Sequence, residues 1–149
     1  LNIHILFESL CPDSQAFIKE QLYPYWNDLA PYINLKLVPF WKKYEGGTKF
    51  VCQHGPQECK GNRILSCALK SLPSQKGQVE YVNCFMETFK RERNNPEDFG
   101  QVCALQYGLD ISQVIRCYNN EEGTIAQLKA QEETTKILPK FIPTILYNG

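Results

Sequence analysis

The sequence contains no long apolar run, no excess of either charge and no glycosylation sequon. No stretch approaches the roughly 20 apolar residues that a membrane-spanning helix needs, so no membrane span is expected. The 16 basic and 16 acidic residues give a net charge of zero, and without a basic face nucleic acid is not an expected partner. The missing N-x-Ser/Thr sequon neither supports nor excludes secretion.

The length of the chain indicates one domain. Its 149 residues, of which 43% are hydrophobic, suffice for a sizeable core. No repeat or linker divides them, so we predict a single domain over residues 1–149. The sequence starts directly on a strand-like segment without a signal peptide or lipidation motif, so an exported protein would be present here in its processed form.

The number of cysteines is odd. Cys11 stands alone near the start, and the other six form an even group. Three disulfides and one free thiol are the simplest interpretation, and they imply an oxidising compartment. A reduced cytosolic protein with buried cysteines is the alternative. The six cysteines expected in disulfides are Cys52, Cys59, Cys67, Cys84, Cys103 and Cys117.

The pairing of these six cysteines has fifteen solutions from sequence alone. We favour Cys103 with Cys117 as the best single pair, because they flank a turn at Gly108 and an antiparallel helix pair would bring them face to face. The other pairings stay open.

Apolar patterns predict an α/β protein. Leu1–Phe7 and Ile33–Phe40 are typical of buried strands, and a helix beginning at Pro12 lies between them. Strand, helix and strand in this order predict a βαβ unit with parallel pairing. The pattern from about 57 to 120 is helical, Thr124–Thr135 predicts a further helix, and Lys140–Tyr147 predicts a last strand.

Cys11 is the candidate nucleophile. It precedes Pro12 at the turn from the first strand into the first helix, where backbone N–H groups stabilise a thiolate. Thioredoxin-like sites carry C-x-x-C at such a turn, and here the frame is Cys11, Pro12, Asp13 and Ser14. The Ser14 hydroxyl can hydrogen-bond the sulfur but cannot form a disulfide with it. A mixed disulfide at Cys11 would therefore need an external thiol, or the freed substrate thiol, for its release.

Ile142 and Pro143 are the candidate substrate-binding residues. A proline that opens the last strand of a thioredoxin-like fold is usually cis and lies beside the reactive sulfur. There it leaves the preceding backbone free to pair with a substrate peptide. An ordinary trans proline at a strand edge is the alternative.

A cysteine-rich segment between residues 52 and 67 offers several metal-ligand types. Its spacing, however, does not match the paired patterns of structural zinc, and no metal or other cofactor is expected. His54 could serve Cys11 as a base, but a hydrogen-bonded loop histidine is the simpler interpretation. The cysteines and histidine concerned are Cys52, His54, Cys59 and Cys67.

The same segment matches every fixed position of the signature C-Q-H-G-x2-E-C-x2-N-x4-C. The chain thereby resembles the gamma-interferon-inducible lysosomal thiol reductase (GILT) family. The resemblance implies a thioredoxin-like core (βαβ … αβ) with a disulfide-stapled helical insertion at about 50–120. It also implies reduction of protein disulfides, and a secreted or endolysosomal location. The matching residues are Cys52, Gln53, His54, Gly55, Glu58, Cys59, Asn62 and Cys67.

The chain departs from the family pattern in two places. Ser14 replaces the second active-site cysteine, so a weak or absent dithiol reductase activity is expected. The given sequence stops at Gly149, where the resemblance implies a further strand and helix, so these elements are expected either to be absent or to lie outside the given sequence. Two functions stay open: a thiol-disulfide oxidoreductase that acts on a disulfide-containing protein with help from a small thiol, or a secreted non-catalytic or immune-modulating binding protein on the same fold.

Overall fold

The computed structural model describes residues 1–40, 44–45, 49–91, 98 and 100–148. The strands are β1 (Asn2–Phe7), β2 (Asn34–Pro39), β3 (Tyr44–Glu45), β4 (Lys49–Phe50) and β5 (Thr144–Tyr147). The helices are α1 (Pro12–Phe17), a π-helical turn (Ile18–Leu22), α2 (Tyr23–Leu29), α3 (Pro56–Ser71), α4 (Gln75–Arg91), α5 (Gln101–Tyr107), α6 (Ile111–Asn119) and α7 (Glu121–Ile137). No described helix is both long and apolar enough to cross a membrane.

β1 is the centre of a three-stranded sheet with the order β2-β1-β5. It pairs in parallel with β2 and antiparallel with β5. The parallel pair confirms the βαβ prediction, and helices α3 to α7 lie in the chain between β2 and β5. Because Leu6 pairs with Thr144, the end of β1 lies directly beside the start of β5. β3 and β4 form a separate antiparallel pair, which the sequence analysis did not predict.

Both faces of the sheet are covered by helices. Ile5 and Phe7 of β1 are buried in the main core, where they pack with residues of the first helical segment, α3 and α4. Leu6, between them, lies on the opposite face in a smaller cluster with Val38 and Ala130. Successive strand residues point to opposite faces, so burial of all three requires a layer of helices on each side.

Pro24 interrupts the first helical segment. A proline inside a helix lacks the N–H that would continue the ladder, and its ring clashes with the carbonyl four residues earlier. Here the chain forms the π-helical turn Ile18–Leu22 just before α2, with Pro24 in the first turn of α2. Such local widening is a common way for a helix to continue past a break in its ladder.

The last strand and last helix differ in extent from the predictions. β5 begins at Thr144 rather than at Lys140, and residues 140–143 do not join the sheet. Pro143 has no N–H to donate to β1, which explains the late start. α7 runs from Glu121 to Ile137, beyond the predicted helix at both ends, and its buried positions are Gly123, Gln127, Ala130 and Thr134.

The disulfides correct the predicted pairing. Three bridges form and Cys11 is free, which is the expected count. The pairing of Cys103 with Cys117 is wrong, because α5 packs mainly against α4, and α6 packs mainly against α3. Each of the two cysteines therefore faces a different helix. The observed pairs are Cys52–Cys59, Cys67–Cys117 and Cys84–Cys103.

The three bridges should differ in their contribution to stability. Their cysteines are separated by 50 residues (Cys67–Cys117), 19 residues (Cys84–Cys103) and 7 residues (Cys52–Cys59). Replacing each pair by alanines should lower the free energy of unfolding by about 4, 3 and 2 kcal/mol in that order, because a longer loop loses more entropy when it is closed. Urea unfolding of the three double variants measures this. Equal losses would show that local packing, rather than loop length, sets the effect.

Candidate active site

Cys11 lies at the turn between β1 and α1. It is the N-cap of α1 with extended backbone angles (φ −75°, ψ 118°), and Pro12 is the first helical residue. This follows from the sequence, because proline is preorganised for the first helical position and lacks an N–H that would stay unpaired there. Cys11 is 7% exposed, and it alone among the cysteines is outside a disulfide. Only a small part of Cys11 is therefore open to solvent at this turn.

The sulfur faces the segment that leads into β5. Cys11 Sγ lies 3.9 Å from the carbonyl oxygen of Ile142, at hydrogen-bonding distance for a thiol. The peptide bond between Ile142 and Pro143 is cis. The sheet register explains this proximity, since the end of β1 and the start of β5 are paired neighbours. The structure therefore brings together Cys11 and Ile142, which are 131 residues apart in sequence.

The Ser14 hydroxyl bonds to the backbone at the end of β1. Its side chain is fully buried, and its Oγ accepts the backbone N–H of Glu8 at 3.2 Å. The expected hydrogen bond from Ser14 to the Cys11 sulfur is absent among the described contacts, because the hydroxyl faces the turn at the end of β1. Ser14 thus stabilises the backbone that leads into the site.

Cys11 opens into a cleft of about 440 Å³. Pro12 and Asp13 of α1, and Ile142, line the same cleft, so the structure places these predicted site residues together. Further lining residues come from the segment that precedes β5 and from the cysteine-rich segment: Gln53, His54, Pro139, Lys140 and Phe141. A cavity of about 480 Å³ between β2, α3 and α7 contains none of the predicted site residues.

Helix α3 holds the turn that precedes Cys11. Asn62 accepts the backbone N–H of Ser9 at 2.9 Å and donates to the carbonyl of Phe40 at 2.6 Å. Glu58 accepts the backbone N–H of Leu10 at 3.2 Å. The residues of this turn lie outside the β-sheet, so their backbone groups lack the hydrogen bonds of a strand ladder. The side chains of α3 satisfy these groups, which would otherwise be buried unpaired.

The close approach of α3 to this turn requires a small residue at position 61. A Cβ built on Gly61 would lie 2.6 Å from Ser9 Oγ and 2.7 Å from the Phe89 ring. A larger residue would therefore push α3 away from the turn. The sequence signature contains Glu58 and Asn62 on either side of this glycine, and their role in the structure is to bind the turn before Cys11.

The start of α3 explains other positions of the signature. Gly55 is the N-cap with φ +94°, a left-handed backbone angle that glycine adopts without a steric cost. The Cys52–Cys59 disulfide closes this segment onto α3. Because Cys52, Cys59 and Cys67 are all in disulfides, their sulfurs are not the thiolate ligands that a zinc site would need.

His54 forms a cluster with two buried carboxylates. Its Nδ1 lies 3.0 Å from Glu8 Oε2 and 2.7 Å from Glu58 Oε2, and both glutamate side chains are fully buried. These are the described residues whose atoms could together hold a metal ion, since they lie within 4.8 Å of one another. The two distances are hydrogen-bond distances, so we assign Nδ1–H as the donor to the carboxylates.

The sequence analysis did not predict the partnership of Glu8 with His54. Glu8 follows β1 directly, and His54 lies 46 residues further along the chain. The only sequence signal was the Glu58 position four residues after His54, which is the spacing of neighbours on a helix. The contact with Glu8 depends on how α3 packs beneath the sheet, which the sequence pattern does not reveal.

A free cysteine at a strand-to-helix turn, beside the segment that leads into the last strand, is the arrangement of a thioredoxin-like fold. Solved structures support the fold: DsbA from Xylella fastidiosa superposes with a TM-score of 0.67 at 18% identity, covering 99% of this chain and 73% of that one. DsbA from Proteus mirabilis gives 0.64 at 11% identity, with 99% and 71% covered. These identities support the fold alone.

The family follows from the sequence comparisons. The profile of the family described as "Gamma interferon inducible lysosomal thiol reductase (GILT)" matches residues 2–107, and the chain belongs to this family. It is 37% identical to GILT-like protein 1 of Drosophila melanogaster over 98% of this chain and 65% of that protein. It is 32% identical to a GILT-like protein of Anopheles gambiae, over 97% of this chain and 66% of that protein. The chain thus spans about two thirds of the length of these relatives.

Proposed function

We propose that this protein carries out thiol-disulfide exchange with Cys11 as its lone nucleophile. The Cys11 thiolate attacks one sulfur of a substrate disulfide, the new bond forms at Sγ, and the other substrate sulfur leaves as a thiolate that takes up a proton. The observation that carries this proposal is that Cys11 is the free cysteine and lines a cleft, while the other six are in disulfides. Membership of a thiol reductase family supports the same chemistry.

Ser14 determines how the cycle ends. A hydroxyl cannot attack the mixed disulfide as a second cysteine would, so an external small thiol must release the substrate. Alternatively the freed substrate thiol attacks back, which amounts to isomerisation. We therefore propose a monothiol enzyme, with weak or absent dithiol reductase activity.

The substrate would bind along the segment at Ile142 and Pro143. The Ile142 carbonyl lies beside the Cys11 sulfur, and the residues from Pro139 to Ile142 line the cleft. Residues 140–143 are not paired in the sheet, so their backbone groups can pair with an extended peptide. A disulfide-containing protein is the proposed substrate class.

The proposed compartment is the secretory pathway, either outside the cell or in endolysosomes. Three disulfides in one chain persist in oxidising environments. The relative from Mus musculus, 26% identical, is named as a lysosomal thiol reductase. We extend that location to this chain as a proposal.

The test is adduct formation followed by turnover. The protein is incubated with oxidised glutathione or with a disulfide-bonded protein, and adducts are located by mass spectrometry. One mixed disulfide at Cys11 is expected, and free cysteine should release it over repeated cycles. Failure to form the adduct would contradict the proposal and favour a non-catalytic binding protein. An adduct that cysteine cannot release would contradict turnover and leave a covalent trap.

A further inference from the structure

His54 lines the cleft and takes no part in the exchange at Cys11 as described above. Its side chain is 31% exposed and lines the same cleft as Cys11. Its Nδ1 side faces Glu8 and Glu58, which are both fully buried. The carboxylates occupy Nδ1, so among the described contacts Nε2 is the ring nitrogen that is left to face the cleft. The imidazole is thereby held with one nitrogen bound and the other toward the cleft.

Two features fix this orientation. Glu58 also accepts the backbone N–H of His54 at 3.0 Å, so the carboxylate holds both the backbone and the ring of the same residue. Glu8 approaches from the end of β1, on a different element. A histidine with a carboxylate on one nitrogen has a defined tautomer, with the proton on that nitrogen and a lone pair on the other. Nε2 can therefore accept a proton from the cleft.

The Cys-x-x-Ser site creates a need for such a proton acceptor. A small thiol has a pKa of about 8.5, so at neutral or acidic pH it arrives mostly protonated, and the thiolate is the nucleophile. In a two-cysteine site the resolving thiol is part of the protein, which fixes its position before the mixed disulfide forms. Here the resolving thiol comes from solution, and the cleft must accept its proton.

We propose that His54 is a catalytic residue that takes the proton from the incoming small thiol, with Glu8 and Glu58 as its positioning residues. This inference rests on the proposed function. The thiol S–H proton passes to His54 Nε2, and the sulfur attacks the substrate sulfur of the mixed disulfide. The bond from that sulfur to Cys11 Sγ breaks, so the substrate leaves as a mixed disulfide with the small thiol, and Cys11 leaves as a thiolate that the imidazolium can reprotonate. No net electrons are taken from the protein, since the small thiol is the reductant.

Other charged groups face the same cleft. Asp13 of α1 and Lys140 of the segment before β5 line it, in addition to Cys11 itself. Glu8 and Glu58 are the acidic groups in contact with the ring. Asp13 and Lys140 carry opposite charges, so neither sign of charge dominates the opening of the cleft. The role of His54 as proton acceptor therefore depends on its hydrogen bonds with Glu8 and Glu58.

The experiment measures release alone. The protein is first glutathionylated at Cys11, and release of glutathione is followed with two nucleophiles: cysteine, which is mostly protonated, and an aromatic thiol that is already ionised at the assay pH. His54→Gln should slow release by cysteine by about 10²-fold, the lower end of the range for general acid–base catalysis. It should leave release by the ionised thiol nearly unchanged. Glu8→Gln should show the same selectivity with a smaller loss.

The matched control is the same change at the other histidine. His4 lies on β1, between Lys36 of β2 and Leu146 of β5, and does not line the cleft. His4→Gln should leave release by either nucleophile unchanged. The unmodified protein gives a second test that requires no variant: release by cysteine should be slower in D₂O, and release by the ionised thiol should not.

The outcomes separate the two proposals. An equal loss with both nucleophiles in His54→Gln, or no loss with either, would overturn the role of His54 and leave Cys11 chemistry intact. The absence of a solvent isotope effect with cysteine would overturn it as well. Failure of Cys11 to become glutathionylated would overturn both this inference and the proposed function.

Discussion

Cys11→Ser should lose the ability to form a mixed disulfide altogether. The other six cysteines are in disulfides, so no second thiol can take its place. The change replaces sulfur by oxygen at one atom, and the contact of that sulfur with the Ile142 carbonyl is a weak one at 3.9 Å, so little stabilisation is lost. We therefore expect the fold to be kept, with loss of the adduct measured by mass spectrometry after treatment with oxidised glutathione.

Two controls make this result specific. Thermal unfolding of Cys11→Ser should stay within a few degrees of the parent, since a well-tolerated single substitution changes stability by about 1 kcal/mol. Alkylation without reductant should label one cysteine in the parent and none in the variant. An adduct that persists in Cys11→Ser would point to exchange at the Cys52–Cys59 bridge, which closes the segment that contains His54.

The local parts of this fold could be predicted from the sequence. The position of Cys11 follows from an apolar strand, a proline that suits the first helical position and the helical spacing behind it. The proximity of Ile142 was also predictable in outline, because the resemblance to thioredoxin-like sites assigns the proline of the last strand to that place. The structure adds the contact itself, with the Ile142 carbonyl at 3.9 Å from Sγ.

The contacts between distant helices could not be predicted. Cys103 and Cys117 flank a turn, and local spacing favoured their pairing, but each helix packs on a different neighbour. The contact between Glu8 and His54 could not be predicted either, because it depends on α3 lying beneath the end of β1. Hydrophobic periodicity identifies which face of a helix is buried, but not which element covers it.

Ser14→Cys should convert the site to one that resolves its own mixed disulfide. Position 14 lies one helical turn after Cys11 and is fully buried in the same turn. A thiol there attacks within the protein, where its effective concentration greatly exceeds that of a millimolar external thiol. Release of glutathione from Cys11 should become about 10²-fold faster than its release from the parent by a millimolar external thiol. The rate in the variant should not depend on added cysteine. The rate is measured on the glutathionylated variant in the absence of reductant.

The substitution has a structural cost that sets the choice of control. Ser14 Oγ accepts the backbone N–H of Glu8, and a sulfur accepts hydrogen bonds weakly, so the free energy of unfolding of the reduced variant should fall by about 1 kcal/mol. Ser14→Ala loses the same acceptor without adding a thiol, and it should show no acceleration. If Ser14→Cys released glutathione no faster than Ser14→Ala, the hydroxyl would not be what limits this site. Position 14 is the residue at which the chain departs from the two-cysteine pattern. Acceleration in Ser14→Cys, and not in Ser14→Ala, would therefore show that the rest of the turn supports thiol-disulfide exchange.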